Sequence, residues 1–178
     1  MWKMVEASMG FLPVSMMTMA HCPEFTQAFE ELGATVLRSG ELDAGLKKMI
    51  AFAVSSAAGC RYCQAHIANS AQKNNVSAEK ITAVFEFESK DLFSEKERAA
   101  LRVAVHAAMA PNTVEAKHMN GLSKHFSERQ VIEVVAVISL FGFLNRWNDT
   151  MATTLDNSPK SFAAVQLASQ GWDAGKHE

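Results

Sequence analysis

Apolar positions recur every three to four residues along most of the chain. Leu46, Met49, Ile50, Ala53, Val54 and Ala57 fall on one stripe of a 3.6-residue helix. No segment sustains the strict alternation of a half-buried strand. Prolines stand only at 13, 23, 111 and 159, which leaves Glu24 to Ala110 free of helix breakers. Ser94 with Glu97, Asn112 with Glu115, and Ser127 with Gln130 have the spacing of capping boxes. Gly40, Gly59 and Asn74-Asn75 read as helix stops. Together these predict helices over about 24–38, 43–58, 60–74, 78–88, 95–109, 113–125, 128–142 and 144–155, with a short one near 160–169. The fold class is all-α.

The pattern repeats at an offset of 85 residues. Lys48 to Ser56 lies over Glu133 to Phe141, and Cys60-Arg61-Tyr62-Cys63 lies over Asn145-Arg146-Trp147-Asn148. A duplicated helical hairpin is predicted, one copy over 42–84 and a cysteine-free copy over 126–155. Both belong to a single domain, 1–178, whose first 23 residues form an arm.

Composition narrows the function. At 48% hydrophobic and 20% charged residues, the chain has the makeup of a globular domain rather than a disordered one. Seventeen basic against nineteen acidic residues, with no dense basic cluster, offer no footprint for nucleic acid. The longest apolar stretch, Val134 to Leu144, falls short of the ~20 residues of a membrane span. The Met-rich start is interrupted by Pro13 and has no A-x-A cleavage site, so a cytoplasmic protein is expected. Three cysteines are too few for a secreted disulfide scaffold, and two of them form a C-x-x-C pair.

That pair carries the candidate chemistry. Gly59 breaks the chain just before Cys60, so both sulfurs belong to the first turn of a helix, where unpaired amides favour thiolate. His66 lies about 60° around the helix from Cys63 and about 120° from Cys60. This spacing makes Cys63 the better nucleophile, with His66 as its base and Cys60 as the resolving thiol. Proximity to the helix end favours the opposite order, in which Cys60 attacks. A zinc site would need a fourth ligand, which His106, His118 or His125 could bring after folding. The polar group Asn145, Arg146, Asn148 and Asp149 is read as a buried hydrogen-bond network. Phe141, Phe143, Trp147 and Met151 are read as core or oligomer contacts, and Met16, Met17 and Met19 as packing against a neighbouring subunit. Cys22 reads as an incidental residue.

Gly59-Cys60-Arg61-Tyr62-Cys63, between an Ala/Val-rich helix and a following His and Ala-rich helix, resembles the carboxymuconolactone decarboxylase superfamily, in its alkylhydroperoxidase D-like, peroxidase-related branch. The resemblance is best from about Leu42 to Val84. It implies an all-helical homo-oligomer, a trimer or a hexamer. It also implies reduction of a small hydroperoxide in which the second cysteine, Cys63, reacts and Cys60 resolves. An external dithiol would reduce the resulting disulfide, and no cofactor or metal is called for. Two positions depart from the family: Ile67 stands where the family has its histidine, His66 coming one residue earlier, and Lys48 stands where it has a relay glutamate. The offset of 85 makes Glu133 the candidate replacement for that glutamate. The alternatives are a lactone decarboxylase, disfavoured by the C-x-x-C pair, and a non-catalytic helical module with a Cys/His metal site.

Overall fold

The computed structural model describes residues 5–6 and 9–178. Among these it has nine α-helices and no strand: α1 Val14–Met19, α2 Pro23–Arg38, α3 Ala44–Ala57, α4 Arg61–Lys73, α5 Ala78–Thr82, α6 Glu95–Ala108, α7 Ala116–Ser123, α8 Glu128–Met151 and α9 Asn157–Gln166. Single turns of 3-10 helix cover Ala83–Glu86, Ala168–Gln170 and Gly175–His177. The described part of the 1–23 arm contains α1, which the sequence reading did not predict.

Local chemistry sets the boundaries. Ser94 with Glu97 and Ser127 with Gln130 form reciprocal capping boxes at the starts of α6 and α8. Asn112 does not cap. Its side chain accepts the Val114 N–H at 2.9 Å, and α7 begins later, behind Glu115 and His118. α3 starts on Asp43, whose carboxylate accepts the Leu46 N–H at 2.9 Å.

α3 is the central helix and packs against α4, α6 and α8. Ile50, Ala51 and Phe52 on it are completely buried. Lys47, also buried, points its ammonium at the end of α2, donating to the Val36 carbonyl at 2.8 Å and to the Ser39 carbonyl. A charged tip thus satisfies two helix-end acceptors that would otherwise be stranded.

α8 departs from expectation. The segments predicted as 128–142 and 144–155 form one helix of 24 residues. The expected boundary fell beside Gly142, yet Gly142 stays helical with open space where a side chain would go. A glycine ends a helix only where the chain turns into the left-handed region, and here that turn comes at Ala152, φ 45°. The second copy of the repeat is therefore a single rod, not a hairpin. α8 is long and apolar enough to meet the length and composition of a membrane span, which the unbroken-run criterion missed. In this bundle its Val134, Val137, Ile138, Leu140 and Phe141 are buried against the other helices. Ile132, Val135 and Phe143 form its exposed apolar stripe.

Candidate functional site

The junction of α3 and α4 builds the site. The Gly59 N–H donates to the Ser56 carbonyl and the Cys60 N–H to the Ser55 carbonyl, both at 3.1 Å, with Gly59 at φ 74°. This is a Schellman stop, and at the left-handed position only glycine avoids strain. Cys60 is thus the last residue of one helix's closing motif and the N-cap of the next. Two helices meet with almost no intervening loop, and the C-x-x-C pair begins where they turn.

Both thiols are free, at 1% and 3% exposure for Cys60 and Cys63. They are not equivalent. The Cys60 thiol is held below its ordinary range, first because Cys63 donates toward it and then, against the opposing effect of burial, by the amides of Cys63 and Tyr62. The Cys63 thiol is pushed well up, by the same interaction and by burial. Of the pair, Cys60 is the more readily ionised thiol, and Cys63 keeps the proton between them. The Asn148 amide donates to the Cys63 sulfur at 3.5 Å, so the two residues aligned by the 85-residue offset meet.

Cys63 lines a cavity of about 290 Å³ whose walls include Phe11, Met16, Phe29, Phe141, Leu144 and Ile67. Its polar wall groups include Tyr62, His66, Asn148 and Lys48. Burial, reinforced by the Lys47 charge, lowers the Lys48 ammonium from its ordinary range. Cys60 is not part of this wall.

His66 shares the cavity but does not pair with Cys63. Its ring stacks on Tyr62 with centroids 4.2 Å apart, and its Nε2 stands 3.0 Å from Asp156 Oδ2. The reason lies in helix geometry: Tyr62, four residues earlier, is offset by only about 40°, closer than the 60° to Cys63. Burial lowers the His66 pKa despite Asp156, so the ring is neutral at pH 7. The same carboxylate oxygen accepts the Tyr62 hydroxyl at 3.1 Å and the Val14 N–H at 3.3 Å, while the Ser15 N–H donates to the Tyr62 oxygen. Asp156 therefore ties α1, α4 and the start of α9 together at the cavity. The sequence reading missed it, for a lone aspartate 93 residues beyond Cys63 has no periodic signature.

Glu133 lies elsewhere. Its carboxylate accepts the N–H groups of Glu41 and Leu42 at 2.9–3.0 Å and pairs with Arg129 at 3.2 Å. Burial works against ionisation there, yet the Leu42 and Glu41 amides and Arg129 hold its carboxyl below the usual range. The Gly40–Leu42 turn and Cys60 flank opposite ends of α3, about 20 Å apart for 14 residues. Glu133 is a clamp on the α2–α3 turn rather than a relay to the thiols. Glu133→Ala is expected to cost about 1–3 kcal/mol of stability, measured by urea unfolding, and to leave thiol oxidation rates unchanged.

The histidines considered as a fourth metal ligand lie away from the sulfurs. His106 and His118 stack on each other, centroids 4.0 Å apart, between α6 and α7. The imidazole that does approach Cys60 is His177, from the last 3-10 turn. Cys60 Sγ, His177 Nε2 and an Asp149 oxygen lie within 4.8 Å of one another. No fourth His, Cys or carboxylate atom joins them among the described residues, one short of a closed structural zinc site. Of the polar residues expected to form a network, Asn145 and Asn148 are buried, Arg146 is exposed, and Asp149 pairs with Lys176 at 2.9 Å. Trp147 and Phe143 cluster with Phe25 and Phe29 of α2. Met16 and Met19 pack within the chain, Met17 is exposed, and Cys22 is an exposed thiol on its own.

An all-helical bundle with a C-x-x-C pair at a helix start, one thiol facing an apolar cavity, defines a dithiol protein of the alkylhydroperoxidase D-like fold. The chain belongs to the carboxymuconolactone decarboxylase superfamily. Residues 23–106 match the carboxymuconolactone decarboxylase family. The fold is similar to that of the debrominase Bmp8, at 34–35% identity and TM-score 0.86, over 92% of this chain and 87–88% of that one. Bmp8 has been solved alone and, as a cysteine-to-alanine variant, in complex with 2,3,4-tribromopyrrole. A peroxidase-related protein from Ralstonia eutropha JMP134 with an alkylhydroperoxidase AhpD core shares the fold, at TM-score 0.80 and 23% identity, over 93% of this chain and 88% of that one. The uncharacterized protein YnjA of Escherichia coli K12 is 27% identical over 110 residues, 62% of this chain and 60% of YnjA. The match thus spans less than two thirds of that relative's length.

Proposed function

We propose that the protein is a thiol-dependent reductase that removes an electrophilic atom from a small apolar substrate and ends its half-cycle as a Cys60–Cys63 disulfide. The observation that carries this reading is the asymmetric pair: Cys63 in the wall of an apolar cavity, with Cys60 behind it as the proton acceptor and resolving thiol. A hydroperoxide is the substrate assigned first. The Cys63 proton passes to the Cys60 thiolate, and the Cys63 thiolate attacks the outer peroxide oxygen. The O–O bond breaks and the alcohol leaves after taking a proton from the Lys48 ammonium in the wall. Cys60, once deprotonated, attacks the Cys63 sulfenic acid, and the S–S bond forms as water leaves. Two thiols are oxidised and one peroxide is reduced. An external dithiol then restores the pair.

A second substrate is supported by one specific observation: likeness to the debrominase is 34–35%, against 23% for the peroxidase-related protein. With an aryl bromide, Cys63 takes the bromine as a sulfenyl bromide, the ring carbon takes a proton, and Cys60 expels bromide as the disulfide forms. The cavity, about 290 Å³, lies at the small end of ligand sites and suits one aromatic ring rather than a lipid chain.

One experiment tests both. The reduced protein, three thiols per chain, is mixed with one equivalent of cumene hydroperoxide or of tribromopyrrole, and thiols and bromide are counted. Loss of two thiols to the peroxide is expected. Loss of two thiols with one bromide released assigns the halide instead, and retention of all three thiols with both reagents overturns the reading.

A further inference from the structure

We infer that His177, backed by Asp149, is the proton partner of Cys60, so that the turn Gly175–His177 completes the dithiol site from outside the cavity wall. This inference rests on the dithiol reading above and adds a residue that neither the motif nor the cavity contains.

His177 is fully buried. Its Nδ1 lies 2.9 Å from the Thr153 carbonyl oxygen, which can only accept, so Nδ1 carries a hydrogen and the tautomer is fixed. The Leu155 N–H donates to the His177 carbonyl at 2.9 Å, anchoring the turn behind the ring. Nε2 is left buried with no hydrogen-bond partner. It faces Asp149 Oδ1 at 3.5 Å and lies within 4.8 Å of the Cys60 sulfur. An imidazole nitrogen, a carboxylate oxygen and the Cys60 sulfur converge. A lone pair held beside a carboxylate and a sulfur is unfavourable, whereas a proton passed from Cys60 to Nε2 turns the same geometry into an ion pair with both.

The proton accounting of the half-cycle needs such a site. Cys60 receives the Cys63 proton in the first step, and it must lose that proton before it can attack in the second. Nε2 of His177 takes it, leaving a Cys60 thiolate beside an imidazolium. The imidazolium then gives that proton to the hydroxide displaced from the Cys63 sulfenic acid, which leaves as water. On re-reduction Cys60 leaves as thiolate, and the two protons of the external dithiol go to Cys63 and to the wall group that protonated the alcohol. The Asp149 charge, which raises the Cys60 pKa when taken by itself, then serves to hold the imidazolium. The other titratable or charged groups around the ring are Lys176, paired with Asp149 at 2.9 Å, Tyr62 with its ring 6.0 Å away, and Cys63 beside Cys60.

The test is a pair of reciprocal titrations that need no substrate. In a Cys22→Ser, Cys63→Ser background only Cys60 titrates, and its pKa is read from the pH dependence of iodoacetamide alkylation. Adding His177→Gln is expected to raise it by at least about one unit, a tenfold loss of thiolate below the midpoint. In case the glutamine variant fails to fold, the reverse experiment leaves His177 in place. The Nε2 resonance of His177 is titrated by nitrogen NMR in the reduced chain with and without Cys60→Ser, and its midpoint is expected to fall by at least about one unit when the thiolate is removed. Unchanged midpoints in these titrations overturn the inference. So does one zinc per chain retained by the reduced protein and lost in His177→Gln, which would give the cluster to a metal. Because turnover is not measured, loss of the proposed reductase activity would leave this result standing.

Discussion

Serine at position 63 is expected to abolish turnover, by at least about 10³-fold, whereas serine at position 60 is expected to preserve one stoichiometric reaction and then stop. The difference follows from where each sulfur lies. Cys63 lines the cavity and Cys60 does not, so a substrate bound there presents its electrophilic atom to Cys63. Charge alone argues the other way, because Cys60 is the thiol held below its ordinary range and Cys63 the one pushed above it. Access decides, since the proton between the two sulfurs moves over a single contact, whereas Cys60 cannot reach the cavity without displacing Cys63. In Cys60→Ser the attack on Cys63 has no resolving thiol, and the product is a stable sulfenic acid. Single-turnover mixing with cumene hydroperoxide, followed by trapping with dimedone and mass spectrometry, should place the adduct on Cys63 in Cys60→Ser. No adduct should appear on Cys60 in Cys63→Ser. The reverse pattern would make Cys60 the attacking residue, as its position at the helix end suggests.

The sequence made the helices and the dithiol legible because both are local. Capping at Ser94 and Ser127, the stop at Gly59 and the period of α3 depend on residues within one or two turns. The errors have the same origin. A boundary between 142 and 144 does not form, because the length of a helix depends on whether packing continues, and here α8 packs on to Asn145 and Asn148. The helix angle from His66 to Cys63 suggests a pair, but Tyr62 lies closer on the same surface and takes the imidazole. Glu133 was reached through the repeat, which aligns it with Lys48. However, a second copy that is a straight rod does not reproduce the hairpin's geometry, and the carboxylate ends on the amides of Glu41 and Leu42. Asp149 had a local signal only as a member of the polar group after the apolar run, and His177 and Asp156 had none: each is a single polar residue brought to the first turns of α4 from 90 or more positions away. For these residues, tertiary packing alone chooses the partner.

Replacing Asp156 tests how much of the site depends on that packing. Asp156→Ala removes the acceptor for the Tyr62 hydroxyl and the Val14 N–H and the neighbour of His66 Nε2. Two buried polar groups lose their partner, and the expected cost is about 2–3 kcal/mol in urea unfolding. With α1 and the Tyr62–His66 stack released from the cavity wall, the rate of Cys63 oxidation is expected to fall by about 10²-fold, since the wall then no longer orients the substrate. Asp156→Asn separates charge from packing: its side-chain oxygen still accepts from Tyr62, so stability near pH 7.5 should stay close to that of the parent. The two differ in acid. The folded pKa of His66 is below its unfolded value, so the unfolded chain binds more protons, and stability is full above about pH 6.5 and declines as the pH falls through that value. Asp156 opposes this by raising the His66 pKa, and without its charge the gap between folded and unfolded states widens. Urea midpoints at pH 7.5 and 5.5 should therefore separate further in Asp156→Asn than in the parent. Equal separations would mean that His66 takes no electrostatic support from Asp156 and is held by its stack on Tyr62 alone.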